Sequence, residues 1–443
     1  MVHNWRGLFL TNLFVFLLSL VFSFFCSEKT LFASSGDLSN YKYFSEIAYG
    51  KIRCSKDSVN LKEHIKSLEN KKIKYRLIYK SHKYITLLKE TEHRTMVNIY
   101  YKNKETCKQI SQINNQILML DPKEDFDRFI RLMNKGANVN TAASYPLIYK
   151  VIQQGNLNLL KVLKEKGADI NIRDRDGKTP LSVASWNGYK EIVKYLVKNG
   201  AYINYGLHPP LCEAAYSGET EILKILLENG GDVNFRDEEK RSPLHCAAMG
   251  NQLKVIQLLM ASGAKIESKD NYNNSPLHLA VHKNKLEAVR LLLSQGAEID
   301  AIDNDGKSPV FFSLVKSKVD ILKLLLSKGA NINQVSNDNA IPLHFAAENG
   351  SLECAKLLIQ KGSKINITTK NIGFSVLHKA VLSENIALVQ ILLDNGVNPD
   401  LKTVKDFYIG GLPSNHFFPK GSTALDFAKI LKLENISLYL QKR

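Results

Sequence analysis

The chain has 443 residues, a formal net charge of +17 and an apolar content of 44%. That apolar share is ordinary for a folded protein and excludes wholesale disorder. Six cysteines are too few for a disulfide scaffold, and a basic excess carried mainly by lysine favours general attraction to anionic partners over bidentate reading of phosphate.

Residues 1–33 read as a targeting segment. Leu8 to Phe25 is almost wholly apolar, Arg6 precedes it, and Ser27-Glu28-Lys29 follow. This is the pattern of a secretory signal peptide, with cleavage after Ala33 or near Cys26. The apolar run is long for such a signal. About 20 apolar residues span a bilayer, so an uncleaved N-terminal anchor is the alternative. In both cases Arg6 favours an N-terminus that stays inside while the remainder crosses. Bulky Phe25 before Cys26 argues against a lipid-anchored cysteine.

Residues 34–120 carry no repeat and read as a small basic domain. A helix is expected at about 58–70, where Leu61, Ile65 and Leu68 share a face. Three strand-like runs follow, Ile73 to Tyr79, Tyr84 to Leu88 and Met96 to Tyr101, and then a second helix at about 105–119. The expectation is an α/β or α+β domain with an antiparallel meander. It holds 17 Lys and Arg against 8 Asp and Glu. Lys71, Lys72, Lys74, Arg76, Lys80 and Lys83 interleave with Tyr75, Tyr79 and Tyr84. Such a face suits an anionic polymer or a membrane surface, or it is an ordinary solvated sheet face guarded by lysines. Cys54 and Cys107 either pair, closing a loop worth about 4 kcal/mol in the chain-entropy model, or stay free. His64, His82 and His93 with Glu63, Glu90 and Glu92 supply acid–base side chains for an enzyme reading. No nucleophile elbow, phosphate loop, paired-histidine zinc motif or Cys-His signature accompanies them.

Beyond residue 120 the chain becomes periodic. Ser242-Pro243-Leu244-His245, Ser275-Pro276-Leu277-His278 and Ile341-Pro342-Leu343-His344 repeat one motif, and Pro243, Pro276, Pro309 and Pro342 are spaced by 33. Weaker copies start at Thr179, Pro209, Ser308, Ser375 and Thr423. Gly167-Ala168, Gly200-Ala201, Gly263-Ala264, Gly296-Ala297 and Gly329-Ala330 keep the same beat. A period in this range marks a stacked-repeat solenoid. Ser or Thr suits a helix N-cap and Pro the first helical position. A short Ala-rich helix, a turn and an apolar second helix follow, for example Ile192, Val193, Leu196 and Val197. Gly then closes the unit in a left-handed cap. Each helix is too short to persist alone, so stacking must bury what one unit cannot.

These units resemble ankyrin repeats, whose pattern runs Thr-Pro-Leu-His-x-Ala-Ala, Gly, an apolar helix and Gly-Ala-Asp-x-Asn. Gly167-Ala168-Asp169-Ile170-Asn171 and Gly329-Ala330-Asn331-Ile332-Asn333 carry the tail. The resemblance covers about 121–443, with a half-unit at 121–140, eight units over about 144–400, an insertion at about 402–421 and a C-terminal cap at about 422–443. It implies a mainly α solenoid of helix-turn-helix-hairpin units, whose hairpin fingers and inner helices form a concave groove that binds proteins. It implies no catalytic residues and no cofactor.

The pattern is broken in places. The fingers before Pro146 and Pro210 are short, which predicts gaps in the groove. The insertion holds Phe407, Tyr408, Ile409, Gly410, Gly411, Leu412, Pro413, Phe417, Phe418 and Pro419. It is either a plug over the last layer or a partner-binding anchor. His245, His278, His344 and His378 do not read as metal ligands. Layers lie about 8–10 Å apart, whereas two nitrogens on one zinc lie within about 4 Å. They read instead as hydrogen-bonded ties between units. Cys212, Cys246 and Cys354 read as small buried apolar residues. Trp186, Tyr216, Met249, Lys283, Lys316 and Glu348 are expected to face the groove, with Trp186 and Tyr216 placing its binding end in the N-terminal half.

The expected function is a non-enzymatic scaffold that binds an unidentified protein partner. Nucleic acid is not favoured. The N-terminal domain is open to an anionic surface, and membrane enters only through an uncleaved leader. Export predicts a periplasmic, secreted or host-delivered protein, and the Lys-, Asn- and Ile-rich composition suits a bacterial source with an AT-rich genome. A membrane-tethered scaffold, and an enzyme acting through residues 34–120, are the alternatives.

Overall fold

The computed structural model describes residues 146–409 and 416–442, a few positions between 130 and 140, and five strands between 43 and 101. The chain divides into two compact units, residues 1–144 and 145–443.

The first unit contains β1 (Tyr43–Ala48), β2 (Lys51–Cys54), β3 (Tyr75–Lys80), β4 (Tyr84–Glu90) and β5 (Thr95–Tyr101). They form one sheet in the order β2-β1-β5-β4-β3, and every pairing is antiparallel. The meander of β3, β4 and β5 follows the three β-rich runs of the sequence. β1 and β2 are not marked in the sequence. Their YFSEIA and KIRC segments mix charged and apolar residues too evenly to mark a strand by composition. The described strands pair antiparallel throughout, as expected of a meander. The leader with Leu8–Phe25 and Cys26, the helices expected at 58–70 and 105–119, and Cys107 with its possible bond to Cys54 lie outside the described residues. So do Lys71, Lys72, Lys74, Lys83, His64, His82, His93, Glu63 and Glu92. Arg76 and Lys80 stand on edge strand β3.

The second unit is a stack of helix pairs. Inner and outer helices alternate as α1 (Leu147–Gln153) and α2 (Leu157–Glu165), α3 (Pro180–Trp186) and α4 (Lys190–Lys198), α5 (Pro210–Ser217) and α6 (Thr220–Glu228), α7 (Pro243–Gly250) and α8 (Leu253–Ala261). The series continues with α9 (Pro276–His282) and α10 (Leu286–Ser294), α11 (Pro309–Leu314) and α12 (Val319–Ser327), α13 (Pro342–Glu348) and α14 (Leu352–Gln360), α15 (Val376–Leu382) and α16 (Ile386–Asp394). After the hairpin β6 (Phe407–Ile409) and β7 (His416–Phe418) comes the last pair, α17 (Ala424–Ile430) and α18 (Glu434–Gln441). Inner helices pack on inner helices of neighbouring layers, and outer on outer. Among the described residues no helix is long and apolar enough to cross a membrane.

Local chemistry sets each element. Thr179, Ser242, Ser275, Ser308 and Ser375 sit at N-caps with extended backbone, and all but the Ser375 cap are followed by proline as the first helical residue. Ala184, Ala214, Ala215, Ala247, Ala248, Ala346 and Ala347 are fully buried on the inner helices, where a methyl group lets adjacent layers approach closely. Outer helices bury larger groups, such as Ile192, Val193 and Leu196 on α4, each worth about 1.5–3 kcal/mol. Between layers, the fingers join by backbone bonds. Asn271 N–H donates to Glu239, Asn304 to Tyr272, Asn337 to Asp305 and Lys370 to Asp338.

Candidate interaction groove

The third residue of each inner helix faces the next layer, and its identity decides how the two layers are tied. His245 Nδ1 accepts the Ser242 backbone N–H at 3.1 Å, and Nε2 lies 3.0 Å from the Asn274 carbonyl oxygen. An N–H only donates and a carbonyl only accepts, so the ring is neutral with its proton on Nε2. His278 repeats this toward the Lys307 carbonyl at 3.3 Å, His344 toward Phe374 at 3.1 Å and His378 toward Ser422 at 3.1 Å. Burial is the first cause that pushes each of the four imidazoles down to about 4. The same position is Tyr149 on α1, whose hydroxyl lies 2.6 Å from the Lys178 carbonyl. On α5 it is Cys212, with Sγ 3.9 Å from the Arg241 carbonyl. The histidine steps are those the sequence marks as ties between units; stepping back by 33 from His245 reaches Cys212, which places the cysteine on the same ladder.

Two layers depart from it. Ser182 on α3 directs its hydroxyl to the Thr179 carbonyl at 2.8 Å, within its own cap. On α11 the position is Phe311, which has no donor and packs edge-on against Phe345 with ring centroids 5.1 Å apart. Ser308, the cap beside it, is left with a buried hydroxyl that has no hydrogen-bond partner. α11 also ends early. Lys316 and Ser317 take left-handed backbone, and buried Lys318 donates from Nζ to the carbonyls of Phe312 at 2.5 Å and Val315 at 2.8 Å. Burial, and then the charge of Lys316, holds the Lys318 ammonium below its ordinary range.

The expected groove residues are placed unevenly. Trp186 and Tyr216, on adjacent layers, stack with ring centroids 5.3 Å apart and planes 15° apart. They stay 44% and 39% exposed. Lys178, which sequence reading did not pick out, sets its Nζ 5.9 Å above the Trp186 ring. Met249 is buried on α7 and offers almost no surface, a correction to the expectation. Lys283 and Lys316 need another. Counted from the first helical residue, the position of Trp186 and Tyr216 falls on His282 and Val315; Lys283 lies one residue past the end of α9 and Lys316 two past the end of α11. Glu348 holds Lys379 at 2.9 Å, and between α13 and the fingers a notch of about 350 Å³ is lined by Lys307, Phe345, Glu348 and Lys379 among others.

The short finger before Pro210 leaves less of a gap than expected. Leu207 folds back onto Gly177, and Arg173 sits 5.5 Å from the centre of the Tyr205 ring. His208 meets buried Glu213 at 3.1 Å, and this hydrogen bond holds its pKa above the ordinary value. The stretch just before Pro146 lies outside the described residues.

The insertion is both plug and surface, because a strand alternates its two faces. Phe407 and Phe418 stack at 4.7 Å and pack with Phe374 and Phe427, with Phe418 fully buried. Tyr408 and Phe417 pair at 4.9 Å on the opposite face and are 71% and 44% exposed. The hairpin tip, with Gly410 to Pro413, is outside the described residues. Cys354 is buried, and its thiol is pushed by burial up to about 11.

A family model described as ankyrin repeats in three copies matches residues 96–206, 211–303, 262–336 and 311–403, well over half of the chain. The chain belongs to the ankyrin-repeat family. It is similar to protein phosphatase 1 regulatory subunit 27 of Mus musculus, with 35% identity over 92 residues, 20% of this chain and 60% of that protein. Protein fem-1 homolog C of Homo sapiens shares 31% over 90 residues, 18% of this chain and 15% of its own length. The Notch-regulated ankyrin repeat-containing protein of Xenopus tropicalis shares 38% over 55 residues, 12% of this chain and 48% of its own. The chain thus spans less than two thirds of each of these relatives. The ankyrin array makes this chain a protein-interaction scaffold in the broad sense; which partner it takes is a separate question.

Proposed function

We propose that the chain is a non-enzymatic scaffold whose groove holds a partner protein at its N-terminal half, centred on Lys178, Trp186 and Tyr216. The observation that carries this is the stacked, half-exposed Trp186–Tyr216 pair with a lysine ammonium over its outer ring. Large aromatic groups held rigid before binding lose little freedom on contact, which is why they anchor interfaces. The phosphatase regulatory subunit among the relatives supports a protein partner as the ligand class. Tyr408 and Phe417 are a second contact point at the far end of the array.

We further propose that the protein is exported through its N-terminal segment and acts outside the producing compartment, with Arg76 and Lys80 of β3 contributing to a basic surface for an anionic target. The pattern of Arg6 followed by the apolar run Leu8–Phe25 supports export.

The groove reading is tested by capturing a partner on the full chain and comparing it with the W186A/Y216A double variant. Affinity is expected to fall more than tenfold with the fold intact; equal affinity would remove the proposal. Mass spectrometry of the mature N-terminus with cell fractionation tests export. An intact leader on a cytosolic chain contradicts it.

A further inference from the structure

We propose that Cys212, Asp237 and Cys246 form a binding site for one thiophilic divalent cation of the zinc class. The three residues come from separate segments, namely α5, the finger between the third and fourth layers, and α7. All three are buried, and their Sγ and carboxylate oxygen atoms lie within 4.8 Å of one another. Two sulfurs on a tetrahedral zinc, each about 2.3 Å from the metal, are about 3.8 Å apart. The ligand atoms therefore need to close by only about 1 Å.

The position explains what such a site does. Cys212 occupies the step of the ladder that histidine fills elsewhere, and its thiol is a weak donor 3.9 Å from the Arg241 carbonyl. This junction also follows the shortened finger before Pro210. A cation held by α5, α7 and the finger between them would supply the tie that the thiol alone does not. Asp237 is oriented for this by Arg241, whose Nε donates to Oδ2 at 2.8 Å and whose backbone N–H donates to Oδ1 at 2.7 Å. A support of this kind is what metal-ligating carboxylates characteristically have. Two thiolates, one carboxylate, one guanidinium and one divalent cation leave the buried cluster formally neutral, so no uncompensated charge is enclosed. Binding forms two metal–sulfur bonds and releases one proton from each thiol to water, with no change of oxidation state.

Cadmium is the probe, since its bonds to thiolate absorb in the ultraviolet. The reduced full chain is expected to take up Cd²⁺ with a thiolate charge-transfer signal that falls by the share of two sulfurs in C212S and C246S and not in C354S. C212A and C246A, which keep apolar side chains, give the same comparison where serine unfolds the chain. D237N is expected to weaken Cd²⁺ binding at least tenfold, and Zn²⁺ to raise the melting temperature of the parent chain but not of C246A. A folded C212A/C246A variant with the full parental Cd²⁺ signal overturns the proposal. So does a Cys212–Cys246 disulfide whose reduced form takes up no Cd²⁺ at this pair.

Discussion

His278 Nε2 lies 3.3 Å from the carbonyl oxygen of Lys307, 29 residues further along the chain, while its Nδ1 accepts the N–H of Ser275 at 3.2 Å. One ring thereby caps its own helix and fastens the next layer. Truncating it strands the buried Ser275 N–H, at a cost of about 1–3 kcal/mol, leaves a cavity, and removes one of two hydrogen bonds to the Lys307 carbonyl, which keeps the one from the Asp303 N–H. His278→Ala should destabilise the array by about 2–5 kcal/mol, read as a lower urea midpoint. A loss below 0.5 kcal/mol would show that the tie carries no weight.

The same tie makes the array sensitive to acid. His245, His278, His344 and His378 have pKa values depressed to about 4 in the folded chain against an ordinary 6.5. Above pH 6.5 they are neutral in both states and contribute no pH dependence. As pH falls from 6.5 to about 4 the unfolded chain binds protons that the folded chain refuses, so stability drops by about 3 kcal/mol per histidine. His208 has the opposite sign, since Glu213 raises its pKa. Its contribution is full below 6.5 and fades as pH rises through its folded value. Melting temperatures measured from pH 7.5 to 4.5 should fall steeply below 6.5, and less steeply in His278→Gln. A flat profile would contradict neutral, buried rings.

Phe311 in place of histidine leaves Ser308 with an unpartnered buried hydroxyl. Ser308→Ala is therefore expected to be neutral or stabilising by up to about 1 kcal/mol, whereas Ser275→Ala should cost about 1 kcal/mol. Equal losses in paired denaturant melts would refute the difference between the two caps.

Gly177 sits at φ +76°, and a Cβ there would come 2.2 Å from Leu207 Cδ1. Gly177→Ala should destabilise through two separable effects, backbone strain and collision, together about 1–3 kcal/mol. In a Leu207→Ala background the collision with Cγ and Cδ1 should vanish, while the 2.9 Å approach to Cβ and the backbone strain remain, so the cost should fall without disappearing. An unchanged cost in the double-mutant cycle would show that the short finger does not rest on Gly177.

The hairpin divides by face. Phe418→Ala removes a fully buried ring from the cluster with Phe374, Phe407 and Phe427 and should cost about 3–5 kcal/mol. Tyr408→Ala, on the exposed face, should change stability by under about 0.5 kcal/mol. Thermal melts of the two variants check this, and comparable losses would contradict the alternation.

The repeat architecture was legible because proline, serine and glycine each mark a backbone requirement, and those requirements recur at one spacing. The histidine ties followed from burial and spacing in the same way. Side-chain placement on short helices was less legible. Lys283 and Lys316 read as groove positions but stand one residue beyond them, because Asn284 and Ser317 take the left-handed turn where the second and third layers have Gly188 and Gly218, which blurs the helix end in the sequence. Met249 reads as a surface anchor in sequence but is buried on α7. The insertion offers two readings from composition alone; the pairing of Phe407 with Phe418 and of Tyr408 with Phe417 puts the packed rings on one face and leaves the other pair exposed.

Hydrogen exchange on the full chain, with and without its captured partner, tests the groove most directly. Binding at the Trp186–Tyr216 stack predicts added protection in α3, α5 and the finger at residues 174–178. Protection confined to the outer helices or to the hairpin at 407–418, with α3 and α5 unchanged, would contradict it.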